Sequence, residues 1–283
     1  MAQYRKDTNQ YLANGTTVFE VQMNTDKDGN IQNVYGTGGN IPLSAGLIDG
    51  YSYVEKFGAN FSIGSDLETI WAQGGKYQFL SNAAVVYADT IVADDGEDKS
   101  DGTGARTVLV EGLDSSYNAV SETLTVGGAA STTQFLRVFR ISVATAGSVG
   151  TNTKPILIST DANGTGTVLG TIATHGSGSN EEGFGQSQIG VYTIPAGKTG
   201  YLTQWTVGST GTSACHAFLR EYEQVNGQIA RTLDNLFFLN GLQTKHYTIP
   251  LRIPEKSDVE VQAYDTSTGV AISTSFNIIL VDN

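Results

Sequence analysis

Short runs that alternate between apolar and polar residues recur along the chain, whereas the helical spacing of apolar residues is almost missing. Residues 259–264 alternate one by one, as a half-buried strand does, and residues 276–281 form an almost wholly apolar run. The best helical candidate is residues 65–71, where Ser65 and Glu68 match a capping box. The pattern therefore predicts an all-β chain, with further strands at residues 107–111, 122–126, 135–141, 154–158 and 167–172.

Asn-Gly pairs mark the predicted turns. Asn226-Gly227 and Asn240-Gly241 each separate two strand-like runs. Because Asn-Gly tolerates the positive φ angles of a type I′ turn, the two pairs in succession predict a three-stranded meander. Asn14-Gly15 predicts another turn, before residues 16–21. Many of the 34 glycines thus fall at turns and strand ends, so the glycine content is typical of a many-stranded protein rather than of disorder.

The order of strands and polar segments predicts four regions. Residues 1–57 contain two weak strands and a glycine-rich stretch, and we expect them to form an extended N-terminal arm. Residues 58–175 predict a β-sandwich domain, residues 176–187 a linker or long loop, and residues 188–283 a β-sandwich or jelly-roll domain. A single larger sandwich, in which the two strand clusters interleave, is the alternative.

Charge narrows the classes of partner. The chain has 28 acidic and 16 basic side chains, a net charge of −12, so we expect it to be repelled by nucleic acid and by anionic membranes. Its apolar runs fall short of the ~20 residues of a membrane span. The polar N-terminus leads into no apolar signal core, which predicts synthesis in the cytoplasm.

The residue types that perform catalysis form no known motif in this sequence. His175, His216 and His246 have no zinc-binding spacing. Cys215 and His216 are neighbours on a predicted strand and point to opposite faces, so we expect a buried thiol rather than a nucleophile–base pair. The sequence therefore predicts no catalytic, cofactor-binding or metal-binding residue, no cofactor, and no enzymatic activity.

Two observations leave binding alternatives open. The acidic run at residues 94–101 could bind calcium, although counting from Asp94 places Ala105 where an EF-hand needs glutamate, so a solvated loop is the expectation. A second acidic run, at residues 26–30, likewise fails the EF-hand spacing. Trp205 and Tyr201 could stack on sugars, but the alternation around them favours core packing.

Several segments follow one another in an order that points to a family. They are residues 68–71 with 74–75, 104–108, 111–118, 121–125 and 135–138, and then 194–202, 250–261 and 280–283. Together they resemble β-rich virion structural proteins of tailed phages, often phages of marine or other aquatic bacteria. The resemblance covers roughly residues 58–283 and leaves the arm outside.

This resemblance implies a structural role in the virion, with no catalytic residues carried over. It favours a capsid decoration, vertex or head-fibre protein that forms a symmetric homo-oligomer, with a trimer favoured, and that contacts other capsid or tail proteins. A tail, collar or nozzle component is the first alternative. A carbohydrate-binding module for host attachment is the second, and an enzyme such as a depolymerase has the least support. The acidic charge favours the outside of the particle.

Overall fold

The computed structural model describes residues 43–90, 96–175, 182–223, 229–266 and 269–283, and the backbone of five short strands before residue 43. These five strands are β1 (Gln3–Arg5), β2 (Gln10–Ala13), β3 (Thr17–Glu20), β4 (Met23–Thr25) and β5 (Ile31–Asn33). The first three form one antiparallel sheet, and β4 pairs with β5. Two weak strands were expected in residues 1–57, whereas the described part of this region contains these five and the start of a strand at residues 51–63.

The remaining strands confirm the predicted all-β fold. The next ten are β6 (Tyr51–Ile63), β7 (Glu68–Thr69), β8 (Tyr87–Thr90), β9 (Ala105–Leu113), β10 (Ala119–Thr125), β11 (Arg137–Ala146), β12 (Ile156–Ser159), β13 (Val168–Ile172), β14 (Thr174–His175) and β15 (Glu182–Gly183). The last seven are β16 (Val191–Thr193), β17 (Lys198–Ser209), β18 (Cys215–Glu223), β19 (Ile229–Phe238), β20 (Gly241–Ile253), β21 (Ser257–Asp265) and β22 (Val270–Asp282). A three-residue 3-10 helix, Ala162–Gly164, follows β12.

Eight of these strands form a jelly roll. The front sheet has the order β20-β17-β22-β6, and the back sheet has the order β16-β21-β18-β19, with β7 also paired to β21. If β6 is counted as the first strand and β16–β22 as the second to eighth, the sheets read 6-3-8-1 and 2-7-4-5. This is the strand order of a jelly roll. Its core lies between the sheets and includes the fully buried Trp205 and Phe276, which confirms the predicted core role of Trp205.

The strands β8–β15 form an insert between the first and second strands of the jelly roll. Two three-stranded sheets, β10-β9-β11 and β13-β12-β8, share a separate core around Val108, Ile141 and Ile158. A buried ion pair joins the insert to the jelly roll: the Nε of Arg137 donates to Oδ1 of Asp258 over 2.7 Å, and Nη2 donates to Oδ2 over 2.9 Å.

The insert also covers one lateral side of the jelly roll, which we call the closed side and which is formed by β6 and β16. Phe139 of the insert packs against Tyr192, with ring centroids 5.0 Å apart, and its carbonyl accepts a hydrogen bond from the buried Lys56. Within this side, the backbone of β6 lies very close to the backbone just before β16: a Cβ on Gly58 would lie 2.3 Å from the amide nitrogen of Gly190.

Several sequence predictions differ from this fold. The predicted boundary after residue 57 falls inside β6, which pairs with β22 from Tyr51 to Ile63. Residues 58–70 thus belong to the jelly roll and not to the first sandwich. The predicted helix at residues 65–71 is wrong, because Glu68 and Thr69 pair with β21 and Thr69 is buried.

The predicted meander and linker also differ. β18 pairs with β19, but β20 pairs with β17 in the front sheet, so the turn at Asn240 and Gly241 connects the two sheets. The turns at residues 14–15 and 226–227 lie outside the described residues. So do residues 176–181 of the predicted linker, while Ser187 is buried and its Oγ accepts a hydrogen bond from the Ile141 amide.

Candidate interaction surface

The second lateral side of the jelly roll is exposed; we call it the open side and define it as residues 229–253, which comprise β19, the turn and β20. Eighteen of these 25 residues are exposed, and Ile253 is the single buried one. Each of the two strands is the outermost strand of its sheet. Such strands present unpaired backbone groups and are usually blunted or covered in native proteins.

Large apolar side chains concentrate on this open side. Ten large hydrophobic residues are exposed in the described part of the chain, and half of them lie here. The most exposed is Ile249 at 84%, while Leu239 and Leu242, which flank the turn, are 68% and 67% exposed; Phe237 and Ile229 complete the set. An apolar concentration of this kind is a common mark of a protein–protein contact.

The core itself is incomplete along this side. Apart from the buried Ile253 at the end of β20, the side chains of β19 and β20 that pack against the core are only partly buried; they are Leu233, Leu236, Phe238, Tyr247 and Leu251. In β18 and β21, by contrast, the core-facing Cys215, Leu219 and Val261 are fully buried. The open side therefore exposes the margin of the jelly-roll core, which a partner could complete.

A polar contact holds the two strands of the open side together. Asp234 on β19 accepts hydrogen bonds from Nζ of Lys245 over 2.8 Å and from the hydroxyl of Tyr247 over 2.6 Å, both on β20. Burial alone would raise the pKa of Asp234, but these hydrogen bonds outweigh it and hold the pKa below its usual range. The contact fixes the spacing of the two strands without covering their apolar side chains.

An aromatic cluster extends the open side onto the outer face of the back sheet. His216 stacks on Tyr264, with ring centroids 4.6 Å apart, and meets Phe237 edge-on at 4.8 Å; Phe218 lies next to both Phe237 and Tyr264. Because His216 and Tyr264 cover each other's ring faces, Phe237 is the ring most available to a partner, at 59% exposure.

The structure separates the residues considered for catalysis. Cys215 is buried, and burial raises the pKa of its thiol to about 12, as expected for an inert core cysteine. His216 belongs to the aromatic cluster, whereas His175 lies on β14 and His246 on β20. Within the described ranges, no group of three or more His, Cys, Asp or Glu side chains could hold a metal ion.

The acidic run at residues 94–101 is partly described. Asp94 and Asp95, like the run at residues 26–30, lie outside the described residues. Asp98 is buried, and its carboxylate accepts hydrogen bonds from the amides of Ala105, Thr153 and Lys154. Asp98 therefore anchors its loop to residues 153–154, a structural role that the charge pattern did not reveal.

A polar groove lies where the insert meets the jelly roll. It has a volume of about 550 Å³, and its walls are formed by residues 71–78 and 160–168. Trp71 is 3% exposed, and its indole nitrogen donates to the carbonyl of Gly75 over 3.0 Å. The groove thus offers polar groups but no exposed aromatic face. In the described part of the chain, no helix is long and apolar enough to span a membrane.

Comparisons with known proteins assign the chain to no family. No protein-family model matches the sequence, and no curated protein matches it significantly. Among solved structures, the crystal structure of the infectious bursal disease virus VP2 subviral particle is 12% identical over 83% of this chain and 73% of its own, with a TM-score of 0.16. The 2.6 Å structure of infectious bursal virus derived T=1 particles is 10% identical over 83% and 79%, with a TM-score of 0.12. TM-scores this low support no argument about fold or function.

Proposed function

We propose that this protein is a non-enzymatic structural component of a phage virion, located in the virion as a capsid decoration, vertex or head-fibre protein. Two independent observations support the proposal. The ordered segments between residues 58 and 283 resemble virion proteins, and the open side exposes apolar core residues in a form suited to assembly. The open side is the structural observation that carries the proposal, because a protein whose role is assembly needs such a surface.

The size of the open side fits this role. A standard protein–protein interface takes about 20–30 residues from each partner, and the open side spans 25. The net charge of −12 favours a position on the outside of the particle, away from the packaged genome. A tail, collar or nozzle component would use the same surface, so copy number separates the two locations.

Mass spectrometry of purified particles of the encoding phage tests the proposal. We expect the chain among the particle proteins at high copy number. Hundreds of copies per particle indicate the capsid shell, whereas about six or twelve indicate a tail ring, because closed rings fix the number of subunits. Absence of the chain from intact particles would rule out a structural role.

A carbohydrate-binding role is the second candidate, and it draws on a different face. On the front sheet, Ile279 of β22 pairs with Tyr201 of β17 on one side and with Tyr53 of β6 on the other. Tyr53 is 38% exposed. The two tyrosines therefore lie two strand spacings apart, about 10 Å, and this distance is compatible with a flat platform on which a sugar could stack. A glycan array with and without calcium tests this role. Specific hits that are lost in Tyr53→Ala would favour it, and an empty array would count against it.

A further inference from the structure

We propose that the outer face of the front sheet binds an extended, neutral β-1,4-linked glycan chain that lies across the strands. This inference rests on the carbohydrate-binding role, the second candidate above, and names the class of glycan and its orientation. The pairing register is the starting point, because it aligns the outward-facing side chains of β20, β17, β22 and β6 in rows across the sheet. The side chains that alternate with them, such as those of Leu202 and Ile278, belong to the core.

The first row supplies surfaces on which sugar rings can stack. Its four members, in strand order, are Arg252, Tyr201, Ile279 and Tyr53. Tyr201 and Ile279 are partly exposed, and Tyr53 is exposed. Tyr51 is two residues before Tyr53 on the same face of β6 and is 47% exposed, so it widens the apolar surface. Sugar rings carry C–H groups on their faces, and these groups pack well against aromatic rings.

The spacing of the two tyrosines selects the linkage of the glycan. Tyr53 and Tyr201 lie two strand spacings apart, about 10 Å. An extended β-1,4-linked chain of pyranose sugars is a flat ribbon that advances by about one strand spacing per sugar. Two sugars with one sugar between them would therefore stack on the two tyrosines, and the middle sugar would lie over Ile279. An α-1,4-linked chain of the same sugar coils into a helix and does not keep this repeat.

The second row supplies hydrogen-bonding groups for the hydroxyls at the edge of the sugar rings. Its members are His246, Gln204, Asn277 and Glu55. On β22 and β6 this row is two residues from the first, about 7 Å along the strand. Within the described ranges, the side-chain amide of Asn277 and the carboxylate of Glu55 have no hydrogen-bond partner. An amide both donates and accepts and a carboxylate accepts, as sugar hydroxyls require.

Charge favours a neutral glycan. With His246 neutral, the two rows contain one cation, Arg252, and one anion, Glu55, which lie on opposite edge strands of the front sheet. Neither side chain has an ion-pair partner in the part of the chain that the structure describes. The rows thus have no net charge, and the chain as a whole has a net charge of −12, which disfavours an acidic polysaccharide. Both charged groups can instead form hydrogen bonds with sugar hydroxyls.

Titration calorimetry with defined oligosaccharides tests the inference. The probes are β-1,4-linked oligosaccharides of glucose, mannose and N-acetylglucosamine, each as the disaccharide, trisaccharide and hexasaccharide. At least one of these series should bind to the full-length chain. A disaccharide reaches only one tyrosine, whereas a trisaccharide spans both, so affinity should rise about tenfold between them, as the gain of an aromatic anchor allows. Maltohexaose is the ligand control, because it contains glucose in α-1,4 linkage, and it should bind at least about tenfold more weakly than the best β-1,4-linked hexasaccharide.

Variants of Tyr53 assign the gain to the first row. Tyr53→Ala should abolish the rise in affinity from disaccharide to trisaccharide, whereas Tyr53→Phe keeps the ring and should retain it. Phe237→Ala is the matched control: it removes an aromatic ring that is 59% exposed on another face, and it should bind like the wild type. Unchanged circular dichroism shows that each variant is folded.

The outcomes separate this inference from the roles on which it builds. Equal binding of maltohexaose, or an affinity that does not rise between two and three sugars, would overturn the inference and leave a carbohydrate-binding role intact. Failure of all three β-1,4-linked series would also overturn it, and hits on other glycans of the array would then still support that role. The virion role is tested separately by mass spectrometry of the particles.

Discussion

The two lateral sides of the same jelly roll differ in how they are covered. On the closed side, most core-facing residues of β6 and β16 are buried: Lys56 and Tyr192 are each 4% exposed beneath the insert, and Val54 is partly buried. The exposed aromatic residues of β6, Tyr51, Tyr53 and Phe61, lie on its outer face. On the open side, the corresponding residues of β19 and β20 are half-buried and their neighbours are exposed. The lateral sides of a sandwich end in edge strands, which native proteins blunt with charges, proline or bulges or cover with additional chain. The insert supplies it on one side, and the described part of the chain supplies none on the other.

The comparison also separates two ways of covering a lateral side. Within one chain, the cover can use buried charges, because Arg137 and Asp258, whose side chains are 3% and 0% exposed, pair with each other. A surface that must stay soluble before assembly needs polar groups that remain in contact with water. The open side carries exposed aliphatic side chains together with a water-accessible polar contact, in which Lys245 is 45% exposed.

The ion pair between Arg137 and Asp258 provides the strongest test of how the closed side is held together. Arg137→Ala leaves the carboxylate of Asp258 buried without its guanidinium, and we expect the free energy of unfolding to fall by about 3–5 kcal/mol. Chemical denaturation followed by circular dichroism measures this change. The matched control is Lys99→Ala, which removes an ion pair to Asp101 with 52% and 81% exposed side chains; its effect should stay within about 0.5 kcal/mol. Equal effects of the two substitutions would show that the insert is not held by this pair.

The second test concerns Lys56, whose amino group is buried between β6 and the insert. Burial, assisted by the nearby charge of Arg140, lowers its pKa to about 7, while Glu111 acts in the opposite direction. Between pH 7 and about 10, the unfolded chain therefore binds a proton that the folded chain has released. By linkage, the free energy of unfolding should rise with pH in this window, by at most about 1.4 kcal/mol per pH unit.

Lys56→Met isolates this contribution. The stability of the wild type minus that of the variant should increase from pH 7 to pH 9.5, because other titrating groups such as Cys215 are common to both and cancel. Denaturation curves at four or five pH values provide the measurement. A difference that stays constant across the range would mean that the Lys56 amino group remains charged in the folded protein.

The third test concerns Gly58, where β6 lies very close to neighbouring backbone on the closed side. In Gly58→Ala, the new methyl group would lie 2.2 Å from the carbonyl oxygen of Ile70, a backbone atom that cannot rotate away. We expect a loss of about 1–3 kcal/mol, typical of overpacking. The matched control lies on the front sheet beside the open side: Gly208→Ala brings its Cβ no closer than 3.2 Å, to the ends of two side chains. Thermal unfolding of both variants should rank them in this order, and the reverse order would contradict the packing described here.

The sequence predicted the individual strands better than their partners. The alternation at residues 259–264 located β21, and the apolar run at residues 276–281 located β22, because both patterns are local information. The expected burial was wrong for β21, which is buried on both faces instead of one. It did not predict that residues 51–63 join the same sheet as β22, since their pairing partners lie more than 200 residues further along the chain. The Asn240-Gly241 turn was located correctly, but a turn sequence does not determine whether its strands enter one sheet or two.

The candidate site was not predicted, and the reason is physical. Alternation distinguishes two faces of a strand but does not state what covers each face, so Leu239 and Ile249 could not be recognised as exposed. One signal was present: residues 241–250 are mostly polar and lack a regular alternation, which is unusual for a strand of this length. A strand without a fully buried face is an edge strand, and that interpretation would have drawn attention to β20.

The smallest expected effect concerns the polar contact on the open side. Asp234→Asn removes the charge that binds Lys245 and Tyr247, and because Lys245 is partly exposed to water we expect a loss of only about 0.5–1 kcal/mol at neutral pH. The sign of the pH dependence follows from the lowered pKa of Asp234. Its stabilising contribution is present above the pKa of the unfolded chain and is lost as the pH falls through the folded pKa. The variant should therefore lose less stability than the wild type between pH 5 and pH 3.

Asp101→Asn serves as the control, because Asp101 is exposed and its contact with Lys99 is long, at 3.7 Å. If Asp234→Asn instead costs as much as Arg137→Ala, the open side depends on a buried polar contact as the closed side does. The two sides would then differ only in how far their apolar side chains are exposed. The unassembled chain would not need a water-accessible polar contact on the open side.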